Sequence, residues 1–236
     1  MNILAIGAHP DDIELGCGGL LLKAVRQRHN VFMYTLTRGG ASGDPKERTK
    51  ELMQSAKFIG AKRLWIDNFE DTKLSVNSDL INHIEFFINQ ANADIVLTHA
   101  PSDTHHDHRA IALSTLEAGR LHPNIMSYET PVSRDFKPHV YYDISDVIDD
   151  KIRLINLFLS QRSKMFLQSG AIRGLAEYRA LQSRLNTYVT CVEAFEVQKM
   201  CFSHEFNLLK VPQQEKIAKV IPEKYQLKEI LELEAA

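Results

Sequence analysis

The chain has 236 residues, 44% of them hydrophobic and 25% charged, which suits one sizeable domain that buries its own core without disulfides. Its formal net charge is −2 with both signs interspersed, so there is no basic footprint for nucleic acid. Its three cysteines, Cys17, Cys191 and Cys201, have no paired spacing and read as free thiols of a reducing compartment.

Asn2–Gly7 is a short apolar run of the kind a buried parallel strand makes. A helix is expected over residues 13–28, with Leu15, Leu20, Leu21, Leu22, Ala24 and Val25 on its apolar face. Residues 31–36 read as a second strand, and the glycine-rich stretch 38–44 as a loop. Pro45 suits the start of a helix and Gly60 its end. A third strand over 64–66, a helix over 80–90, a strand at Ile95–Thr98 and a helix over 110–118 follow. Strands at Ile125–Tyr128 and 140–144 complete the series. Strands and helices alternating at this spacing predict an α/β fold, a Rossmann-like and mostly parallel sheet flanked by helices.

After Ser145 the pattern changes to additions of helix and strand. Residues 147–161 and 175–185 read as helices, and 189–195 as a strand or a helix continuation. The charged stretch 213–234 is helix-prone, and 211–236 reads as a tail of a single 1–236 domain. It is expected to dock on the body, to serve a partner, or to stay mobile. The N-terminus lacks a secretory signal, and no window approaches 18 uncharged apolar residues, so a cytoplasmic protein without a membrane span is expected.

Two polar clusters directly follow predicted strands. His9-Pro10-Asp11-Asp12 comes after the first strand. His99, Asp103, His105, His106, Asp107 and His108 come after the strand Ile95–Thr98. In open parallel sheets the ligand crevice lies beyond the carboxyl ends of the strands, so clusters at two such ends can converge. Imidazole with carboxylate suits zinc or another divalent transition metal, and three protein ligands with one open position is the catalytic arrangement. Adjacent Asp11 and Asp12 project differently, so one can ligate while the other faces substrate.

A lone histidine is usually a surface or satisfied core residue, and a lone Asp-Asp a solvated turn. Four of ten histidines within positions 99–108 outweigh that. A dinucleotide fingerprint fails at the first strand, since Gly16, Gly18 and Gly19 come too late and Asp11, Asp12 and Glu14 would repel a pyrophosphate. The late glycines are expected to let the first helix pack closely, with Cys17 a packed thiol.

Ala8-His9-Pro10-Asp11-Asp12-Ile13-Glu14 followed by Gly16-Cys17-Gly18-Gly19 resembles the opening signature of the PIG-L/LmbE-like zinc-dependent N-acetylglucosaminyl deacetylases, and His105-His106-Asp107-His108 their second signature, His-x-Asp-His. The likeness runs over roughly residues 1–200 and takes in Arg48, Glu51, Asp71, Asp143-Ile144-Ser145, Lys151, Ser160-Gln161 and Glu193-Ala194-Phe195. It implies zinc ligands His9, Asp12 and His108, with Asp11 as general base. It further implies His105 supporting the tetrahedral intermediate or protonating the leaving amine, and Asp107 orienting an imidazole. Arg48 and Asp71 would contact substrate hydroxyls, Arg134 would lie near the acetyl pocket, and His99 and His106 carry no role.

The chain departs from the pattern at Arg179-Ala180 and Ser183-Arg184, where relatives often have glycines, and at His106, where they often have proline. The implied activity is metal-dependent removal of an N-acetyl group from an amino sugar or related acetamide, by a homo-oligomer. Alternatives are an amidase acting on a larger acyl-amide such as a thiol-sugar conjugate, and a non-catalytic metal- or sugar-binding module.

Overall fold

A computed structural model describes residues 1–185, 187–202, 208 and the backbone of 229–232. Its centre is an eight-stranded sheet built from β1 (Asn2–Gly7), β2 (Asn30–Thr37), β3 (Arg63–Phe69), β4 (Ile95–Thr98), β5 (Ile125–Tyr128), β6 (Val140–Asp143), β7 (Val192–Lys199) and β8 (Glu229–Glu232). The order across the sheet is β6-β7-β5-β4-β1-β2-β3-β8. The five central strands run parallel, and β6, β7 and β8 are joined by antiparallel pairings. Strand order reverses between β1 and β4, which opens a crevice at their carboxyl ends.

Alternate residues of each strand enter opposite cores. Ile3 and Ala5 of β1 join Met33, Leu64 and Ile66 under helices α1 (Asp12–Arg26), α2 (Pro45–Ile59) and α5 (Ile148–Ile155). Leu4 and Ile6 join Tyr34, Trp65 and Phe87 under α3 (Ser78–Ala91) and α4 (His106–Ala118). Helix α6 (Ser169–Ser183) closes a smaller core with Ile144 and Ile148. Among the described residues no helix is long and apolar enough to cross a membrane.

The first helix is two helices joined at Cys17, whose φ of −141° and ψ of 16° break the ladder. The break orphans the N–H groups of Gly19 and Leu20, and both donate to the Glu193 carboxylate at 2.7 Å. Lys151 balances that buried charge, donating to Glu193 Oε1 and to the Leu15 carbonyl, each at 2.7 Å. The expected close packing holds: a Cβ on Gly16 would lie 2.0 Å from the Tyr128 ring.

Two expectations are corrected. The helix foreseen over 147–161 stops at Ile155, and Leu159–Gln161 forms a 3-10 turn, because Ser160 gives its N–H and hydroxyl to Glu51 at 2.8 and 2.6 Å. In the helix-prone stretch 213–234, residues Glu229–Glu232 form β8 against β3; the remainder lies outside the described residues.

Candidate active site

The carboxyl end of β1 turns sharply into α1. Asp11 takes φ 116°, a left-handed value that costs a non-glycine residue on the order of 1–3 kcal/mol and is found where a site requires it. Asp12 Oδ2 accepts the His9 N–H at 2.7 Å, which closes the turn. The end of β4 leads to α4, where His105 is the N-cap. Its Nδ1 accepts the Asp107 N–H at 3.2 Å, so neutral His105 carries its proton on Nε2.

These two strand ends bring His9, Asp12 and His108 together in a buried cluster. His9 Nδ1 lies 3.2 Å from Asp12 Oδ2, His108 Nε2 lies 3.3 Å from Asp12 Oδ1, and the two imidazole nitrogens are 3.3 Å apart. Four donors placed tetrahedrally at zinc distances of about 2.0–2.1 Å stand about 3.3–3.4 Å from one another. The donor set and its spacing therefore fit a divalent ion.

Two other groupings, His9-His105-Asp107 and His99-Asp103-His108, also bring ligating atoms together. Their geometry suits support. His105 Nδ1 is committed to its cap, and His99 Nε2 accepts the Ala8 N–H at 3.1 Å. Outside the central triad, carboxylates hold the far sides of the imidazoles. His9 Nε2 lies 2.9 Å from Asp71 Oδ1 and 3.1 Å from Asp107 Oδ2, and His108 Nδ1 lies 3.2 Å from Asp103 Oδ1. Such partners fix the tautomer and aim of a ligating imidazole.

Charge is unevenly spread through the cluster. Burial would raise the Asp12 carboxyl, but the imidazoles of His108, His99 and His9 hold it well below the usual carboxylate range. Burial pushes Asp11 up to about 6, against the pull of the Arg48 guanidinium. Burial likewise opposes a charge on His99, whose imidazole falls to about 4.

Arg48 and Asp71, foreseen as substrate contacts, are committed to the protein. The buried Arg48 guanidinium donates to Asp11 Oδ2 at 3.1 Å, to the carbonyls of Pro10 and Gly39, and to Ser42 Oγ. Asp71 accepts the Ala41 N–H at 2.8 Å while it faces His9. Both still border the cavity described below. Arg134 is exposed and does not line it; in that turn Val132 reaches the cavity and Ser133 turns inward to Asp103.

His99, for which the resemblance implies no role, is fully buried and lies 3.3 Å from Asp12 Oδ2, with its ring stacked on His108 at 3.8 Å. Its place directly after β4 was the available signal. Asp103, which also had no role, is the carboxylate facing His108. His106 is half exposed and bonds the Thr72 carbonyl at 2.7 Å, at the rim.

The cluster opens on a cavity of about 400 Å³ bordered by His9, Asp11, Asp12, His105 and His108. Further walls come from Ala41 and Ser42, from 130–132, and from Lys164 and Phe166.

Fold and site together define an α/β protein with a buried His/Asp cluster of metal-binding type at the switch point of a Rossmann-like sheet. A family model described as PIG-L, GlcNAc-PI de-N-acetylase, matches residues 4–119. The uncharacterized deacetylase YaiS of Escherichia coli strain K12 is 35% identical over 153 residues, 61% of this chain and 83% of that protein. The diacetylchitobiose deacetylase of Thermococcus kodakarensis is 28% identical over 186 residues, 68% of this chain and 70% of that protein. The crystal structure of the conserved protein TT1542 from Thermus thermophilus superposes with a TM-score of 0.76 at 23% identity, covering 88% of this chain and 99% of that one. The chain belongs to the PIG-L deacetylase family.

Proposed function

We propose that this protein is a divalent-metal-dependent N-deacetylase that hydrolyses the acetamide of an amino sugar, with zinc as the expected ion. The observation that carries the reading is the triangle of His9 Nδ1, Asp12 and His108 Nε2, with donors 3.2–3.3 Å apart on the edge of a cavity. The sugar class follows from the relative named a diacetylchitobiose deacetylase.

An ion held by His9, Asp12 and His108 would supply Lewis-acid chemistry, polarising a carbonyl and acidifying water. Asp11 supplies the base. Its Oδ2 is held by Arg48 Nη2 at 3.1 Å, which leaves Oδ1 to take a proton from the attacking water. His105 offers an Nε2–H donor at the cavity wall, placed by its N-cap bond to Asp107. That donor can meet the oxyanion of the tetrahedral intermediate, and the proton taken up by Asp11 passes on to the departing amine. Arg48 acts through Asp11 as a positioning residue. Asp71, Asp103 and Asp107 act through the imidazoles, and His99 acts through Asp12 and His108.

The test is release of acetate from N-acetylglucosamine and N,N'-diacetylchitobiose by zinc-loaded protein, with and without a chelator. The expected result is release that the chelator abolishes and zinc restores. Absence of chelator-sensitive release from every acetamide tried would overturn the reading in favour of a binding module.

A further inference from the structure

The turn 161–167 adds two side chains to the cavity wall, Lys164 and Phe166, which the mechanism above does not use. The turn is tied down. Gln161 Nε2 donates to the Ser42 carbonyl at 3.1 Å, the Lys164 N–H to the Gln161 carbonyl at 3.0 Å, and the Leu167 N–H to the Lys164 carbonyl at 3.1 Å. Lys164 is therefore carried on an ordered wall, and its ammonium lies 5.7 Å from the centroid of the Phe166 ring.

The other charged side chains bordering the cavity have partners. Asp11 is paired with Arg48 at 3.1 Å, Asp71 lies 2.9 Å from His9, and Asp12 faces three imidazoles at 3.2–3.3 Å. Among the described residues, Lys164 is the cation on this wall with no carboxylate within salt-bridge distance; its charge reaches Asp11, which Arg48 already holds at 3.1 Å, and the Phe166 ring face attracts it but does not neutralise it. A half-buried lysine bordering the cavity, with no salt-bridged protein anion, is a point-charge receptor for a ligand anion.

Resting on the N-deacetylase reading, we propose that Lys164 is a specificity residue that receives an anionic substituent, a phosphate or a carboxylate, of the acetamido substrate, while Phe166 packs against the face of the ring bearing it. The preferred substrate class is thus an anionic acetamido sugar.

The experiment compares kcat/KM of the zinc-loaded protein for N-acetylglucosamine 6-phosphate, N-acetylglucosamine 1-phosphate, N-acetylmuramic acid and neutral N-acetylglucosamine. It is repeated at high salt and with Lys164→Gln and Lys164→Arg. One charge-assisted hydrogen bond predicts a preference of roughly 10- to 100-fold for at least one anionic substrate. The loss in Lys164→Gln should fall mainly in KM, and Lys164→Arg should restore part of the preference. The two phosphates and the carboxylate separate the possible sources of the anion.

An anionic-to-neutral ratio that does not change in Lys164→Gln would overturn the proposal. A parallel fall for every substrate would do the same, and would place Lys164 with Asp11 instead. Calorimetric binding of the same compounds gives a readout independent of turnover. Selective anion binding lost in Lys164→Gln, with no hydrolysis of any acetamide, would support the receptor and sink the N-deacetylase reading. Equal affinity for anionic and neutral compounds would sink the receptor alone.

Discussion

Asp11→Asn separates proton transfer from metal holding. Asparagine matches aspartate in size and tolerates the left-handed backbone that Asp11 adopts at φ 116°. Its carbonyl can still accept from Arg48 Nη2, now 3.1 Å from Asp11 Oδ2, but its amide nitrogen cannot take a proton. Removing a positioned base costs on the order of 10²–10⁴ in rate, so kcat should fall by that factor. The donor triangle of His9, Asp12 and His108 does not include Asp11, so one zinc per chain should remain. Folding should suffer little. Arg48 keeps the carbonyls of Pro10 and Gly39 and the Ser42 hydroxyl, and its bond to position 11 becomes a neutral one, so the loss is the charge-assisted part of one hydrogen bond, about 1 kcal/mol. In a chain of this length each kcal/mol lowers Tm by about 2–4 °C. Acetate release, metal content by elemental analysis and a thermal melt read the three quantities. Turnover within tenfold of wild type in a fully metal-loaded variant would remove Asp11 from the base role.

Asp107→Ala deletes the carboxylate 3.1 Å from His9 Nε2 that also accepts the N–H groups of Thr72 and Leu74 at 2.8 and 3.0 Å. Zinc affinity, measured by competition with a chromogenic chelator, should drop by roughly 10- to 100-fold. An unchanged affinity would mean that His9 is aimed by Asp71 alone. Gly16→Ala places a Cβ 2.0 Å from the Tyr128 ring, which cannot easily retreat because its hydroxyl is held by the Ile6 carbonyl at 2.8 Å. Overpacking of this kind costs about 1–3 kcal/mol or more, so the melt should shift down by several degrees. A wild-type Tm would show that the ring has room to move.

Where local pattern decides structure, the sequence was readable. The apolar runs of β1, β4 and β5 were found at their exact ends, and α2 lies between an Asp44 side chain that caps Lys46 N–H and a left-handed Gly60. Where tertiary partners decide, it was not. Glu51 draws Ser160 out of the expected helix, and pairing with β3 makes a strand of Glu229–Glu232 inside a charged, helix-prone stretch. Helix α6 begins at Ser169, six residues ahead of expectation, with Gly170 and Gly174 masking its first turns. In the site, the strand-end position of the 9–12 and 99–108 clusters was visible from spacing, whereas singling out His108 among the histidines of the second cluster rested on the family resemblance. The commitment of Arg48 and Asp71 to neighbouring protein groups was not, because it depends on where the loop 38–44 folds back.

One backbone angle explains how adjacent aspartates come to face different partners. At a helical φ, Asp11 and Asp12 would be set about 100° apart around the first turn of α1. The value of 116° at Asp11 instead swings its carboxylate under Arg48, while Asp12 begins the helix and turns back to the His9 N–H at 2.7 Å. The strain of that angle is borne by bonds on both sides, Arg48 to the Pro10 carbonyl and the Leu15 N–H to the Asp11 carbonyl at 3.0 Å. Arg48 thus secures the angle as well as the carboxylate. Its loss would release the Asp11 side chain and the turn together, so a buried arginine at the cavity edge governs the geometry of Asp11.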